Sequence, residues 1–110
     1  MRAESQDRFR RLVDQGLGFV LLARGRPVST TAFNATVPDM VQVGGVFTPP
    51  QLRGRGYTRT IVAHSLVDAT RQGATRAVLF AARGNGSSQR AYRALGFEQV
   101  GPFRLTVFPR

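Results

Sequence analysis

The sequence contains no cysteine, no lysine and no tryptophan, and its single histidine is His64. Without cysteine the chain has no disulfide framework, no thiol nucleophile and no cysteine-ligated metal. One imidazole also excludes sites that need two, so we expect no metal centre. The apolar runs are a handful of residues long, far short of the ~20 needed to cross a bilayer, and the N-terminus is not typical of a signal peptide. We therefore expect a cytoplasmic protein without membrane association.

Negatively charged residues are scarce. Six acidic residues stand against sixteen arginines, for a formal net charge of +10, and the arginines are spread from Arg2 to Arg110. This distribution predicts a general attraction to polyanions but no specific nucleic-acid partner. A basic nucleic-acid-binding domain is the rival interpretation, and it would bind with a steep salt dependence. The chain carries no aromatic RNA-binding motif to support it.

The pattern of elements predicts one mixed α/β domain over residues 1–110, with a helix within residues 1–17 and the main body over 18–110. A helix over residues 5–15, capped by Ser5, precedes three short strands that end near residue 47 and form an antiparallel meander. The pair Gly44 and Gly45 predicts a bulge in the third strand, or a place where another backbone or a ligand comes close. A helix after Gly56, ending at Gly73, and a buried strand over 77–82 complete a βαβ unit with parallel strands. A helix over 85–95 and one or two strands within 97–108 follow.

The junction between the third strand and the following helix is rich in glycine and arginine. Gly54 and Gly56 allow a tight turn whose N–H groups approach a ligand without hindrance from a Cβ atom. The first turn of the helix adds unpaired N–H groups and a favourable dipole, while Arg53 and Arg55 add permanent positive charge. These features predict a phosphate or diphosphate site, with a plain tight connection as the alternative. A P-loop is excluded because no Gly-Lys-Ser/Thr follows, and Arg59 replaces the third glycine of the dinucleotide fingerprint.

A second group of polar residues follows the next strand. Asn85, Ser88 and Tyr92 are spaced by three and four residues, which places them on one face of a helix. Ala91 and Leu95 form the adjacent apolar stripe that packs inward. Such a polar stripe beside a phosphate-binding turn can hold an extended cofactor.

Taken together, the two motifs resemble those of the GNAT superfamily of acetyl-CoA-dependent N-acetyltransferases. The superfamily's first motif, Gln/Arg-x-x-Gly-x-Gly/Ala, is matched by Gln51, Gly54 and Gly56. Its later motif is an asparagine, a small residue three positions on, a tyrosine at seven, a leucine at ten and Gly-Phe at eleven and twelve. The matching residues are Asn85, Ser88, Tyr92, Leu95, Gly96 and Phe97. The resemblance spans residues 18–108.

The resemblance implies a sheet that splays apart between the strands at 40–47 and 77–82, with acetyl-CoA in the gap and CoA as the product. The pantetheine arm would pair with the backbone near Val46, Phe47 and Thr48. An amine would attack the thioester directly within a ternary complex, and Tyr92 would protonate the departing thiolate. The N–H groups of one continuous segment would hold the diphosphate, namely Leu52, Arg53, Gly54, Arg55, Gly56, Tyr57 and Thr58.

The catalytic assignment rests on Tyr92 alone. An ordinary tyrosine has a pKa of ~10 and a thiol ~8.5, so full proton transfer is uphill by roughly 2 kcal/mol. We therefore expect loss of the hydroxyl to slow the reaction without abolishing it; a plain core aromatic is the alternative role. No general base is visible, because Gln42 cannot serve, Asp39 lies in a predicted turn and His64 is expected to pair with Asp68 in solvent.

The chain departs from the family at its N-terminal side, where members usually carry an additional strand and two helices. Here only one predicted helix precedes the meander, so the resemblance implies a truncated N-terminal part. We expect either a fragment of a longer protein or a site completed by a partner subunit, with a homodimer as one form. The rival function is an acetyl-CoA-binding or CoA-binding module without turnover.

Overall fold

The structure, a computed structural model, describes residues 3–80, 86–101 and 104–107. Its helices are α1 (Ala3–Asp14), α2 (Tyr57–Arg71) and α3 (Gly86–Ala94), with a short 3-10 turn at Pro50–Leu52. The strands are β1 (Gly18–Ala23), β2 (Arg26–Val37), β3 (Met40–Phe47), β4 (Arg76–Phe80), β5 (Glu98–Gln99) and β6 (Arg104–Val107). The predicted order of elements is confirmed. Ser5 lies inside α1 rather than at its N-cap, so that detail was wrong.

The six strands form one mixed sheet in the order β1-β2-β3-β4-β6-β5. β1, β2 and β3 are the predicted antiparallel meander. β3 and β4 are parallel, as a strand–helix–strand unit requires, because α2 carries the chain from one end of the sheet back to the other. β6 then pairs antiparallel with both β4 and β5.

β3 separates from β4 halfway along its length. The parallel ladder runs from Met40 opposite Arg76 to Val43 opposite Leu79. In the described part of the chain no further pair joins the two strands, although β3 continues to Phe47. Two residues of β3, at 45 and 46, lie opposite the single residue 31 of β2, which confirms the predicted bulge. The splayed arrangement expected of the sheet is therefore present.

The hydrophobic core lies between the sheet and the helices α2 and α3. The predicted stripe of α2 is buried: Ile61, Val62, Leu66 and Ala69. It packs against inward-facing residues of the central strands, which alternate with outward-facing ones as strand geometry requires. The sheet contributes Phe33, Val41, Val43, Ala77, Leu79, Leu105 and Val107 to this core. Among the described helices, none is long and apolar enough to span a bilayer.

Candidate cofactor cleft

A cleft of about 360 Å³ opens where β3 has left β4. Its walls are the end of β3, the loop that follows, the first turn of α2 and one side of α3. Nine of the residues predicted to bind the cofactor line it: Val46, Phe47, Thr48, Leu52, Arg53, Gly54, Gly56, Tyr57 and Thr58. Gln51 and Arg55 are exposed and are not among its described lining residues. The backbone of the motif thus meets the end of β3, beyond its described pairing with β4, in one concave surface.

The two motif glycines adopt the left-handed backbone conformation. Gly54 has a φ of 79° and Gly56, the N-cap of α2, a φ of 83°. An added Cβ atom would meet nothing within 4 Å at either position. Packing therefore does not explain these glycines, whereas their backbone conformation does, since other residues lose roughly 1–2 kcal/mol there. The turn leaves open space in front of its own amides.

The N–H groups of this turn divide into two sets. Those of Leu52 and Arg53 donate to the carbonyls of Pro49 and Pro50, at 2.9 and 3.3 Å, so the protein already uses these two. The first bond inside the helix is from Thr60 N–H to Gly56 O, at 3.0 Å. Within the described residues, no backbone carbonyl and no capping side chain accepts from the N–H groups at positions 54–59. The N–H groups available to a diphosphate are therefore those at 54–59, whereas the predicted donors were those at 52–58.

A chain of hydroxyl groups holds the turn against the sheet. The Thr48 side chain is 5% exposed, and its Oγ1 shares hydrogen bonds with Ser29 Oγ at 2.7 Å and Thr58 Oγ1 at 2.8 Å. Ser29 Oγ also donates to the carbonyl of Phe47 at 3.1 Å, and Arg53 Nε donates to the carbonyl of Thr48 at 2.9 Å. β2, the end of β3 and the first turn of α2 are thereby joined at one buried residue. Sequence patterns did not indicate this network, because its members lie on different elements.

The cleft is positively charged. Arg53, Arg59 and Arg90 line it, and no acidic side chain is among its described lining residues. Arg53 uses one donor on the Thr48 carbonyl, and a guanidinium has five N–H donors, so four remain available to a ligand. Sequence patterns did not predict a binding role for Arg59 or Arg90. Arg59 was noted only as a mismatch to another motif, and Arg90 lies at a position that the GNAT motif does not specify.

Tyr92 lies on the buried side of α3. It is 6% exposed, belongs to the core, and its ring centroid is 5.9 Å from that of Phe97 in an edge-on arrangement. Ala91 and Ala94 of the same helix line the cleft, whereas Tyr92 is not among the described lining residues. The ring therefore has the packing role that was the alternative, and the catalytic role of its hydroxyl stays a prediction. Asn85 lies outside the described residues, as does the side chain of Ser88.

The candidate general bases Asp39 and His64 lie away from the cleft. Asp39 precedes β3, at the end opposite Val46 and Phe47, and its carbonyl accepts from Thr75 N–H at 2.8 Å. His64 is exposed in the middle of α2. The described part of the cleft thus contains donors and cations but no group that readily accepts a proton.

Comparisons with known proteins agree with this geometry. Residues 2–97 match the sequence model of the acetyltransferase (GNAT) family. The fold is similar to that of Ard1 from Thermoplasma volcanium, with a TM-score of 0.85 and 12% identity over 100% of this chain and 81% of that chain. It is also similar to ribosomal-protein-alanine N-acetyltransferase from Brucella melitensis, with a TM-score of 0.78 and 19% identity over 98% and 79% of the two chains.

A third similar structure contains a ligand. PaiA N-acetyltransferase from Thermoplasma acidophilum, in complex with coenzyme A, has a TM-score of 0.81 and 12% identity over 96% of this chain and 70% of that chain. At such identities these likenesses establish the fold alone. No functionally curated protein matches the sequence.

Proposed function

Because the chain belongs to the acetyltransferase (GNAT) family, a family of acyltransferases, we propose that it transfers the acetyl group of acetyl-CoA to a primary amine within a ternary complex. We further propose that residues 1–110 form a single domain of this type, with an N-terminal helix within residues 1–17 and the cofactor-binding core over 18–110. The observation that carries the proposal is the row of N–H groups at 54–59 that have no acceptor in the described part of the chain.

The residues of the cleft fit the two parts of the cofactor. The amides at 54–59 form an anion site at the positive end of α2, and Arg53 and Arg59 add charge, which suits a diphosphate. Within the described residues, β4 does not pair with Val46 and Phe47 at the end of β3 or with Thr48 just after it. The backbone groups there can therefore pair with the amides of an extended pantetheine arm.

In the proposed reaction, acetyl-CoA supplies the acetyl group as an activated thioester. The amine nitrogen forms a bond to the carbonyl carbon, the carbon–sulfur bond breaks, and the amine loses one proton. The Tyr92 hydroxyl supports this step by donating to the departing sulfur. The amine enters in its neutral form or first loses a proton to water, and water takes the proton that its nitrogen loses after attack, because the described cleft offers no carboxylate or imidazole. The departing sulfur takes the Tyr92 proton and leaves as the thiol of CoA, and water returns a proton to Tyr92.

The test is to incubate the protein with acetyl-CoA and a panel of primary amines. Release of free thiol and formation of the N-acetylated amine, measured by mass spectrometry, should agree one to one. Reactions without amine correct for hydrolysis. Thiol release that is independent of amine, or no release with any amine, would contradict the proposal.

A CoA-binding module without turnover is the second candidate. It is favoured by the absence of a proton acceptor among the described lining residues of the cleft. Binding of CoA in calorimetry without thiol release from acetyl-CoA would identify it.

A third arrangement is that the chain is part of a larger or oligomeric acetyltransferase. β1 is an edge strand, and Val20 and Leu22 on it are exposed, a combination that favours self-association. Light scattering after size-exclusion chromatography tests for the homodimer.

A further inference from the structure

A second cavity, of about 510 Å³, lies at the opposite end of α2 from the cofactor cleft. The segment that follows α1, the hairpin between β2 and β3, and the last turns of α2 enclose it. Leu17, Phe33, Val41 and Ala69 provide apolar walls. Walls of this kind with few polar groups are typical of sites for small organic molecules.

The described lining of this cavity contains one charged group, a carboxylate. Asp68 is the only ionisable side chain among its described lining residues, and it is half-buried. It forms no ion pair within the described part of the chain, so the predicted pair with His64 was wrong. Gln15 and Gln72 also line the cavity, with neutral amide groups. A carboxylate without an ion-pair partner beside apolar walls is a local feature that attracts an organic cation.

Two helix C-termini meet at the same cavity. α1 ends at Asp14, immediately before the lining residues Gln15 and Gly16, and α2 ends just before Gln72. Most carbonyls of their last turns already accept hydrogen bonds, for example that of Leu12 from Leu17 N–H at 2.7 Å. What remains is the partial negative charge of each helix end, which stabilises a nearby cation. The two helix ends and the Asp68 carboxylate are therefore all negative, and all attract a cation.

We propose that this cavity binds a small organic cation with an apolar body. The cationic group lies near Asp68, and the apolar part lies against Leu17, Phe33 and Val41. The site is separate from the cofactor cleft, because the fifteen residues of α2 span about 22 Å between them. The proposal does not depend on acetyl transfer.

The probe is benzyltrimethylammonium, which cannot accept an acetyl group. Benzyl alcohol and phenylacetate are its neutral and anionic comparators. In calorimetry the cation should bind at least about tenfold more tightly than either comparator. In amide NMR spectra it should shift the signals of Leu17, Val41 and Ala69 but not those of Gly54 and Gly56.

Variants and salt complete the test. Asp68→Asn should weaken binding of the cation about tenfold, whereas Glu98→Gln, the same charge change on exposed β5, should leave it unchanged. Thr36→Trp, on an exposed part of the lining, should block the cavity. In the unmodified protein, raising the salt concentration should weaken binding of the cation but not of benzyl alcohol. Equal binding of the three probes, shifts confined to the cofactor cleft, or unchanged binding by Asp68→Asn would overturn the proposal.

Discussion

The two ends of α2 differ in how their backbone groups are hydrogen-bonded. At the N-terminal end no side chain caps the helix, and the amides at 54–59 have no acceptor within the described residues. At the C-terminal end the N–H groups of Gln72 and Ala74 donate to the carbonyls of Asp68 and Ala69. The first end can therefore bind a ligand with its backbone. The second can act only through its field and its side chains.

The surroundings of each end reinforce this difference. Arg53, Arg59 and Arg90 line the cleft at the positive end, and Asp68 lines the cavity at the negative end. Because backbone donors are held rigidly by the fold, we expect the N-terminal end to give the tighter and more specific site. The Asp68→Asn variant described above tests the C-terminal end, and the variants below test the cofactor cleft at the N-terminal end, from the largest expected effect to the smallest.

Gly54→Asp should abolish the thermal stabilisation by CoA and lower its affinity at least about a hundredfold, because a carboxylate would repel the diphosphate. Gly25→Asp is the matched control. Gly25 has a φ of 77°, and an added Cβ would meet nothing within 4 Å, so the backbone strain is the same away from the cleft. Thermal shift and calorimetry with CoA measure both variants. A Gly54→Asp protein that responds like the parent would place the cofactor elsewhere.

Tyr92→Phe should lower kcat by about tenfold to a hundredfold and leave CoA affinity unchanged. The substitution keeps the ring that packs against Phe97 and removes only the hydroxyl. Steady-state kinetics with saturating acetyl-CoA, together with calorimetry, separate the two quantities. An unchanged kcat would leave Tyr92 with a packing role alone.

Thr48→Val should weaken CoA binding about tenfold, because it leaves the hydroxyls of Ser29 and Thr58 without their shared partner and loosens the turn. Thr48→Ser should restore binding. Thr106→Val removes a hydroxyl that donates to the Ala77 carbonyl at 3.1 Å, outside the cleft, and serves as control. Both valine variants should lose thermal stability, but only the first should lose CoA affinity. Equal CoA affinity in the two would show that the network is purely structural.

Arg90→Gln should weaken CoA binding about threefold at low salt, and the difference should shrink as salt is added. Its side chain lines the cleft but lies on α3, away from the row of backbone amides. Arg26→Gln, an exposed arginine at the start of β2, controls for the change in net charge. A loss of the same size in both variants would indicate a general attraction of the basic protein for CoA rather than a contact in the cleft.

Local patterns were sufficient to predict the strand–helix–strand unit and the glycine turn. The stripe of α2 follows from helical spacing, and the tight turn follows from Gly54 and Gly56, because glycine adopts a positive φ without steric cost. Repeated glycine also marked the bulge that follows Gly44, at residues 45 and 46, just beyond the described pairing of β3 with β4. Each of these features is specified within a few residues of the chain.

Other features required the folded chain, because their members are far apart in sequence. The hydrogen bond between Ser29 and Thr48 joins residues nineteen positions apart, and Arg90 reaches the cleft only because α3 packs against α2. The burial of Tyr92 depends on Phe97 and on the core that surrounds both. The cavity at Asp68 exists only where α1, β2, β3 and α2 meet. Residue spacing specifies which way one element faces, whereas a site built from several elements depends on how they pack.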